Sequence, residues 1–205
     1  SDGGGGALAI HIDSLRFPTD GAAIEVGTAS NSGGSSSKYT AFHVKKNGVW
    51  QMADVIETAQ ADSGTSMADM RWLAGKWTVN GPDGQARMKM KVTTAFPKGF
   101  LQVSYIDMAG NTMAIEEIGV NPKNGTISSW TFNSNGGTGN AFWNREGNTF
   151  TKVATSYEAD GLRGAGIYIL QKLSPDKFTF TATSRYISGQ RLPNSKVMTA
   201  VRDAG

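Results

Sequence analysis

The side chains with the most recognisable chemistry are the two histidines, His11 and His43, which both lie in the first quarter of the chain. A metal site would need at least a third ligand, for which Glu25 or Asp54 are the acidic candidates. Both histidines fall in stretches that alternate as strands do, so we interpret them as side chains on a sheet face. The sequence predicts no metal site and no cofactor.

A second candidate is an apolar binding site in the later part of the chain. Trp130 and Trp143 flank a Gly/Asn-rich turn, and aromatic side chains brought together by a hairpin can line a cavity or stack on a sugar. Ordinary core packing is the alternative for each of them. Alternation along the strands predicts a ligand-binding pocket with eight lining residues, although a one-residue slip would turn any of them outward: Met90, Val103, Tyr105, Ile115, Trp130, Trp143, Tyr157 and Tyr168.

Other kinds of site are excluded or disfavoured by what the 205 residues contain. Without cysteine there is no disulfide or thiolate chemistry, and without a histidine after position 43 a Ser-His-Asp arrangement is absent there. The stretch Gly161–Gly166 is not a phosphate loop, because it lacks the Lys-Ser/Thr ending and leads into a strand. The net charge is only +3 and the basic residues are scattered, so we expect no nucleic-acid partner. No apolar run is long enough for a membrane span. The compartment stays unassigned, with a secreted or periplasmic one preferred.

The elements that must position these residues are strands. The first segment has three runs with period-two alternation, and Asn47-Gly48 between the last two strands is a strong hairpin signal because both residues tolerate positive φ. It predicts a four-stranded meander with no helix. We expect one apolar face, which must be covered by something: Ile10, Ile12, Ile24, Val26, Phe42 and Val44.

The remainder of the chain reads as a second unit. Residues 59–69 are small and polar and predict a linker that ends in one helical turn, with Thr65 or Ser66 as the cap and with Met70 and Leu73 facing inward. About ten short strands joined by tight turns follow Gly75. An open sheet of ten strands would leave two exposed edges, so we expect it to close into an up-and-down barrel.

The triplet Gly75-Lys76-Trp77 resembles the Gly-X-Trp motif at the first strand of lipocalin-like (calycin) barrels. Arg202, near the end of the chain, stands where those barrels have an Arg that packs on the Trp. The resemblance implies that Gly75, Trp77 and Arg202 form a structural closure at one end of the barrel, with a cation–π contact between the last two. An ordinary core position for Trp77 is the alternative.

Residues 8–57 resemble the strand half of SnoaL-like domains of the nuclear transport factor 2 superfamily, most specifically in the pattern Y-T-x-x-H-V-K-K-x-G-x-W at 39–50. The helical half of such a domain is not in this sequence, which predicts a partial, cone-type antiparallel sheet. The resemblance implies a homodimer through this sheet, and it singles out Asp54 as the one acid to consider for acid–base chemistry, although no catalytic residue can be carried over. The predicted domains are residues 1–58 (SnoaL-like strand half), 59–69 (linker) and 70–205 (lipocalin-like barrel).

Three functions remain open at this point. We expect a non-catalytic binding module whose barrel interior holds a small apolar or amphipathic ligand. A SnoaL-like isomerase- or cyclase-type enzyme with an accessory barrel, and a structural or interaction protein, are the alternatives. A cavity in the barrel would favour the first, a buried carboxylate with a raised pKa in the sheet would favour the second, and a filled barrel would favour the third.

Overall fold

The protein consists of two compact units, with the division between residues 62 and 63. The predicted linker at 59–69 spans this division, and its residues 60–64 lie outside the part of the chain described here. Among the residues that the structure describes, no helix is long and apolar enough to cross a membrane. The computed structural model describes residues 8–31, 36–59, 65–96, 99–122 and 126–204.

The first unit is a four-stranded antiparallel meander, as the sequence predicts. Asn47 and Gly48 have φ angles of 52° and 80° and form the turn between the last two strands, which confirms the hairpin. The strands are β1 (Leu8–Thr19), β2 (Ala22–Asn31), β3 (Ser36–Lys46) and β4 (Val49–Ala59).

The expectation of one apolar face on this sheet is wrong, because a bulge divides it. Between Ile12 and Ser14 the register of β1 against β2 shifts by one residue, which leaves Asp13 as the extra residue. Ile10 and Ile12, which precede the bulge, therefore point to the opposite face from Ile24 and Phe42. Ile24 and Phe42 are buried, whereas Ile10 and Ile12 are both about half exposed. The homodimer stays a prediction.

The second unit is a closed barrel of ten antiparallel strands. Each strand pairs with the next along the chain, and the last strand pairs with both the first strand of the barrel and β13, which closes the ring. The strands are β5 (Gly75–Asn80), β6 (Ala86–Ala95), β7 (Phe100–Ile106), β8 (Thr112–Val120), β9 (Ile127–Asn133), β10 (Thr138–Glu146), β11 (Thr149–Tyr157), β12 (Arg163–Ser174), β13 (Lys177–Ile187) and β15 (Met198–Arg202), with a short β14 (Gln190–Leu192) paired to β13.

A short helical segment precedes the barrel and ends at its first strand. It comprises α1 (Met67–Met70) and a 3-10 turn (Arg71–Leu73). Ser66 caps α1: its side chain accepts a hydrogen bond from the backbone of Asp69, and the Asp69 carboxylate accepts one from the backbone of Ser66. Met70 and Leu73 are both buried in the barrel core, as the sequence predicts.

The two ends of the barrel differ. The helical segment lies at the end of the barrel where β5 begins. The other odd-numbered strands up to β13 also begin at this end, and the even-numbered strands up to β12 end there. The interior at this end is filled by a core that includes Trp77, Val92 and Phe178. Toward the other end the interior is not filled. The strand directions and this packing give the barrel one closed end and one mouth.

Candidate functional site

The closed end is built around Trp77. Its ring is fully buried and packs edge-on against Phe178, with 4.9 Å between ring centroids. The indole nitrogen donates a 2.8 Å hydrogen bond to the carbonyl oxygen of Leu73, the last residue of the 3-10 turn. The guanidinium carbon of Arg202 lies 4.2 Å from the ring centroid, at cation–π distance. The structure thus brings together the residues that the Gly-X-Trp resemblance singles out.

Arg202 also joins three segments of the chain at this end. It donates hydrogen bonds to the carbonyl oxygens of Trp72 (2.8 Å) in the helical segment and of Ala74 (2.7 Å) directly after it. In the β12–β13 turn it donates to the carbonyl oxygen of Pro175 (2.9 Å) and pairs with Asp176 at 2.8 Å. Because a planar guanidinium has five donors in fixed directions, a lysine in its place would lose most of these bonds.

Gly75 has to be a glycine for two reasons. Its φ angle is 139°, and a Cβ atom built on it would overlap with Nη1 of Arg202. We expect Gly75→Ala to lower the free energy of unfolding of the barrel by about 1–3 kcal/mol, as measured by urea denaturation. Gly84→Ala is the matched control, because Gly84 also has a positive φ of 78° but open space around it. Equal losses in both variants would contradict the steric role of Arg202.

The mouth half of the barrel contains a cavity of about 350 Å³. It exists because two rows of small residues run across strands β10, β11 and β12. In the registered pairing Ala141 faces Ala154, which faces Gly166. The next row toward the mouth has the same character. Its members are Gly139, Ser156 and Gly164.

The wall of the cavity changes character from its floor to its mouth. The floor and sides carry apolar and aromatic side chains, whereas the rim is polar. The larger apolar and aromatic lining residues are Val79, Met88, Met90, Tyr105, Trp143, Tyr168, Leu170, Phe178, Phe180, Tyr186, Ile187 and Leu192. The polar lining residues toward the mouth include Asn133, Ser156, Glu158 and Arg185. Such a cavity suits a molecule with an apolar body, and its volume lies at the small end of typical ligand sites.

A buried ion pair lies on the wall of this cavity. Glu116 on β8 is fully buried, and the ammonium of Lys152 on β11 lies 3.1 Å and 3.2 Å from its two carboxylate oxygens. In register, Glu116 pairs with Thr131 on β9 and Lys152 pairs with Trp143 on β10. Between these two positions Ser129 on β9 pairs with Ala141 on β10, and their small side chains leave room for the long ones to meet. A buried pair needs further hydrogen bonds to offset its desolvation.

Those further hydrogen bonds come from hydroxyl groups. Tyr105 donates a 2.6 Å hydrogen bond to Glu116 Oε2, and the Ser129 hydroxyl also stabilises the carboxylate. Ser129 is itself held by the indole nitrogen of Trp143, which donates to its Oγ at 3.0 Å. The Lys152 ammonium lies 4.8 Å from the Tyr168 ring centroid and 5.4 Å from that of Trp143. The charge is thus held between a carboxylate and two aromatic faces.

The surroundings of Glu116 keep it ionised. Burial by itself raises the pKa of a carboxyl group, but here the Lys152 ammonium and the hydrogen bonds from Ser129 and Tyr105 outweigh burial, and the pKa of Glu116 lies below its usual value. Burial and the neighbouring carboxylate raise the pKa of Tyr105 well above its usual value, so Tyr105 remains a donor. Glu116 is therefore a poor proton acceptor at neutral pH.

The structure separates the eight predicted pocket residues into three groups. Met90, Tyr105, Trp143 and Tyr168 line the cavity. Val103 points inward but is buried in the core toward the closed end. The other three are more than a third exposed and lie on the outer face: Ile115, Trp130 and Tyr157. In each of their strands the inward-facing residues are the neighbours of the ones that we predicted.

Sequence reasoning missed Glu116 and Lys152. Glu116 stands between Ile115 and Ile118, and choosing the apolar Ile115 as the inward residue of β8 puts Glu116 outside. In β11 the inward residues are Phe150, Lys152 and Ala154. The sequence did contain a signal for them. Glu116 and Lys152 are the acid and the base that alternate in step with inward-facing apolar residues of their own strands.

The histidines of the first unit lie on opposite faces of its sheet. His11 pairs in register with Thr28, and His43 with Ala23. His43 Nε2 is 3.2 Å from one oxygen of Glu25, whose other oxygen accepts a 2.5 Å hydrogen bond from Tyr39. Burial, together with the hydrogen bond and charge of Glu25, raises the pKa of Tyr39 to about 12.

This arrangement occupies both oxygens of Glu25 within the sheet. Asp54 pairs in register with Phe42 and so belongs to the face opposite Glu25. In the described ranges, no group of three or more acidic or histidine side chains is placed to hold a metal ion.

Comparison with known proteins assigns the chain to no family. No family model matches the chain, and none of the curated proteins is significantly similar to it. Among solved structures, the chain is similar to a redesigned β-barrel at 20% identity, with 70% of this chain and 100% of that chain covered and a TM-score of 0.31. The architecture therefore has to be interpreted from its own residues.

Proposed function

We propose that the barrel is a non-catalytic binding module that holds one small amphipathic molecule in its cavity. The observation that carries the proposal is the pair of small-residue rows. Larger side chains at Ala141, Ala154 or Gly166 would fill the interior, yet the chain keeps these positions small above a floor of methionine and aromatic residues. A ligand reaches this space through the polar mouth.

Two further features favour binding over catalysis. In the pair Glu116–Lys152 on the barrel wall, the carboxylate already accepts hydrogen bonds from several donors, and its lowered pKa disfavours proton transfer at neutral pH. Both histidines of the chain lie in the other unit. We therefore keep the enzyme and the purely structural protein as alternatives of lower rank.

The finer family assignment belongs to this proposal as well. Gly75, Trp77 and Arg202 are arranged as the resemblance to lipocalin-like barrels implies, which supports a calycin-type binding barrel. The SnoaL-like reading of the first unit is supported by its meander of four strands and by the motif at 39–50.

Filling the cavity should abolish binding. We expect the neutral fluorescent probe N-phenyl-1-naphthylamine to bind the wild-type protein saturably, with enhanced emission, and Ala154→Phe to bind it at least roughly tenfold more weakly, because the new ring occupies the space between Ala141 and Gly166. Val201→Phe, on the exposed side of β15, adds the same ring outside the barrel and should bind like wild type. Circular dichroism checks that both variants are folded. Absence of saturable binding to the wild type, or undiminished binding to Ala154→Phe, would refute the proposed function.

A further inference from the structure

The ion pair on the cavity wall has one partner with unused capacity. Glu116 accepts hydrogen bonds from Tyr105 and Lys152 and is stabilised by Ser129, so its oxygens are occupied. Lys152 has three N–H donors, and the two oxygens of Glu116 can take up two of them. Lys152 is one of the residues that line the cavity, and its ammonium lies beside the rings of two others, Trp143 and Tyr168.

We propose that the ligand of the barrel carries a neutral carbonyl group, as in a ketone, ester or lactone, whose oxygen accepts a hydrogen bond from the Lys152 ammonium. This inference rests on the proposed function and names the ligand class. The rest of the ligand is apolar, because the floor that surrounds Lys152 consists of residues such as Met90, Leu170 and Phe180.

Electrostatics selects a neutral group over a charged one. The charges of Glu116 and Lys152 cancel, so a neutral ligand leaves the cavity without net charge. A cationic head group would be repelled by Lys152. An anionic head group on Lys152 would stand next to the buried Glu116 carboxylate, and like charges close together in a low-dielectric site cost more than they would in water. A carbonyl oxygen gains a charge-assisted hydrogen bond with neither penalty.

Other charged groups at the cavity could bind an anion elsewhere. Arg185 is at the mouth, where its guanidinium donates to the carbonyl oxygen of Pro193 at 3.1 Å, and Glu158 is on the same rim. A carboxylate ligand could pair with Arg185 while its apolar body enters the cavity. The experiment therefore needs a carboxylate probe beside the ketone.

Three naphthalenes of similar size separate these cases: 2-acetylnaphthalene carries a ketone, 2-isopropenylnaphthalene is a hydrocarbon with a planar C=CH2 group in place of the C=O group, and 2-naphthoate is an anion. By isothermal titration calorimetry we expect the wild-type protein to bind the ketone roughly tenfold or more tightly than the hydrocarbon, as expected for a hydrogen bond from a charged donor. The ketone should also bind more tightly than the naphthoate. The carbonyl stretching band of bound 2-acetylnaphthalene should lie at lower wavenumber than in an apolar solvent.

The double variant Glu116→Gln/Lys152→Met is the decisive control. It keeps the size of both side chains and an acceptor for Tyr105, but removes both charges. We expect its affinities for the ketone and the hydrocarbon to lie within about twofold of each other, and the infrared shift to be lost.

The possible failures are distinguishable. Equal wild-type affinity for ketone and hydrocarbon would overturn the role of Lys152 while leaving the binding function intact. Tightest binding of 2-naphthoate would replace the carbonyl ligand with an anionic one. A ketone preference and infrared shift that persist in the double variant would also overturn the proposal. If none of the three probes binds, the proposed function and this inference fail together.

Discussion

Trp77→Ala is expected to unfold the barrel or to leave it barely stable. The substitution removes a fully buried indole from the closed end, and such a loss typically costs about 3–5 kcal/mol. That is a large share of the roughly 5–15 kcal/mol by which a domain is stable. The variant also loses the hydrogen bond to Leu73 and the ring beneath the Arg202 guanidinium, both of which attach the helical segment to the barrel.

Urea denaturation followed by far-UV circular dichroism measures this loss. Trp130→Ala is the matched control, because Trp130 is 37% exposed on the outer face and its removal should cost well under half as much. Trp77→Phe keeps an aromatic ring but not the indole N–H, so it should fall between wild type and Trp77→Ala. If Trp77→Ala were as stable as Trp130→Ala, the closure would not depend on Trp77.

The architecture was predictable from the sequence because its signals are local. Alternation with a period of two marks a strand without reference to its neighbours, and Asn47-Gly48 specifies a tight turn by its own backbone preferences. Closure of the barrel followed from the number of strands and the cost of exposed edges. The capped helical turn was equally local, because Ser66 and Asp69 form the cap by themselves.

The direction of individual side chains was much less predictable. The bulge at Asp13 reverses the face of Ile12 relative to Ile24, and nothing in the local pattern marks it. In β11 and β12 the apolar residues occupy both faces: Val153 and Ile167 are buried although they alternate with Lys152 and Tyr168. Where both faces of a strand carry apolar residues, the sequence pattern identifies the strand but does not show which alternate residues face the barrel interior.

The ion pair could not be predicted for a further reason. Glu116 and Lys152 are 36 residues apart. They meet across two intervening strands, where the small residues Ser129 and Ala141 pair with each other. A charged side chain in a strand is normally a sign of the solvent face, so sequence reasoning places both residues outside. In the closed barrel, the pairing of the strands determines which side chains face the interior, and this brings the two charges together.

Breaking this pair from one side should be strongly destabilising. Lys152→Met leaves Glu116 as a buried carboxylate without its cation, which typically costs about 3–5 kcal/mol. Replacing both partners, in Glu116→Gln/Lys152→Met, removes both charges at similar volume and should come within about 1 kcal/mol of wild type or exceed it. Urea denaturation of the wild type, both single variants and the double variant at pH 7 gives the coupling energy. A double variant less stable than Lys152→Met would contradict this account.

The pH dependence of that difference has a definite sign. In the wild type the pKa of folded Glu116 lies below its usual value. Its ionised form therefore contributes stability above the pKa of the unfolded chain, about 4.3, and this contribution is lost as pH falls through the folded pKa. In Lys152→Met, burial without a counter-charge raises the pKa of Glu116, so protonation on acidification relieves the unpaired charge.

The stability difference between wild type and Lys152→Met should thus be largest at neutral pH and shrink as pH falls toward 4. Denaturation curves at several pH values between 7 and 4 test this, with the double variant as a reference that lacks the titrating pair. A difference that stays constant over this range would mean that the Lys152 methylenes, rather than its charge, account for the effect.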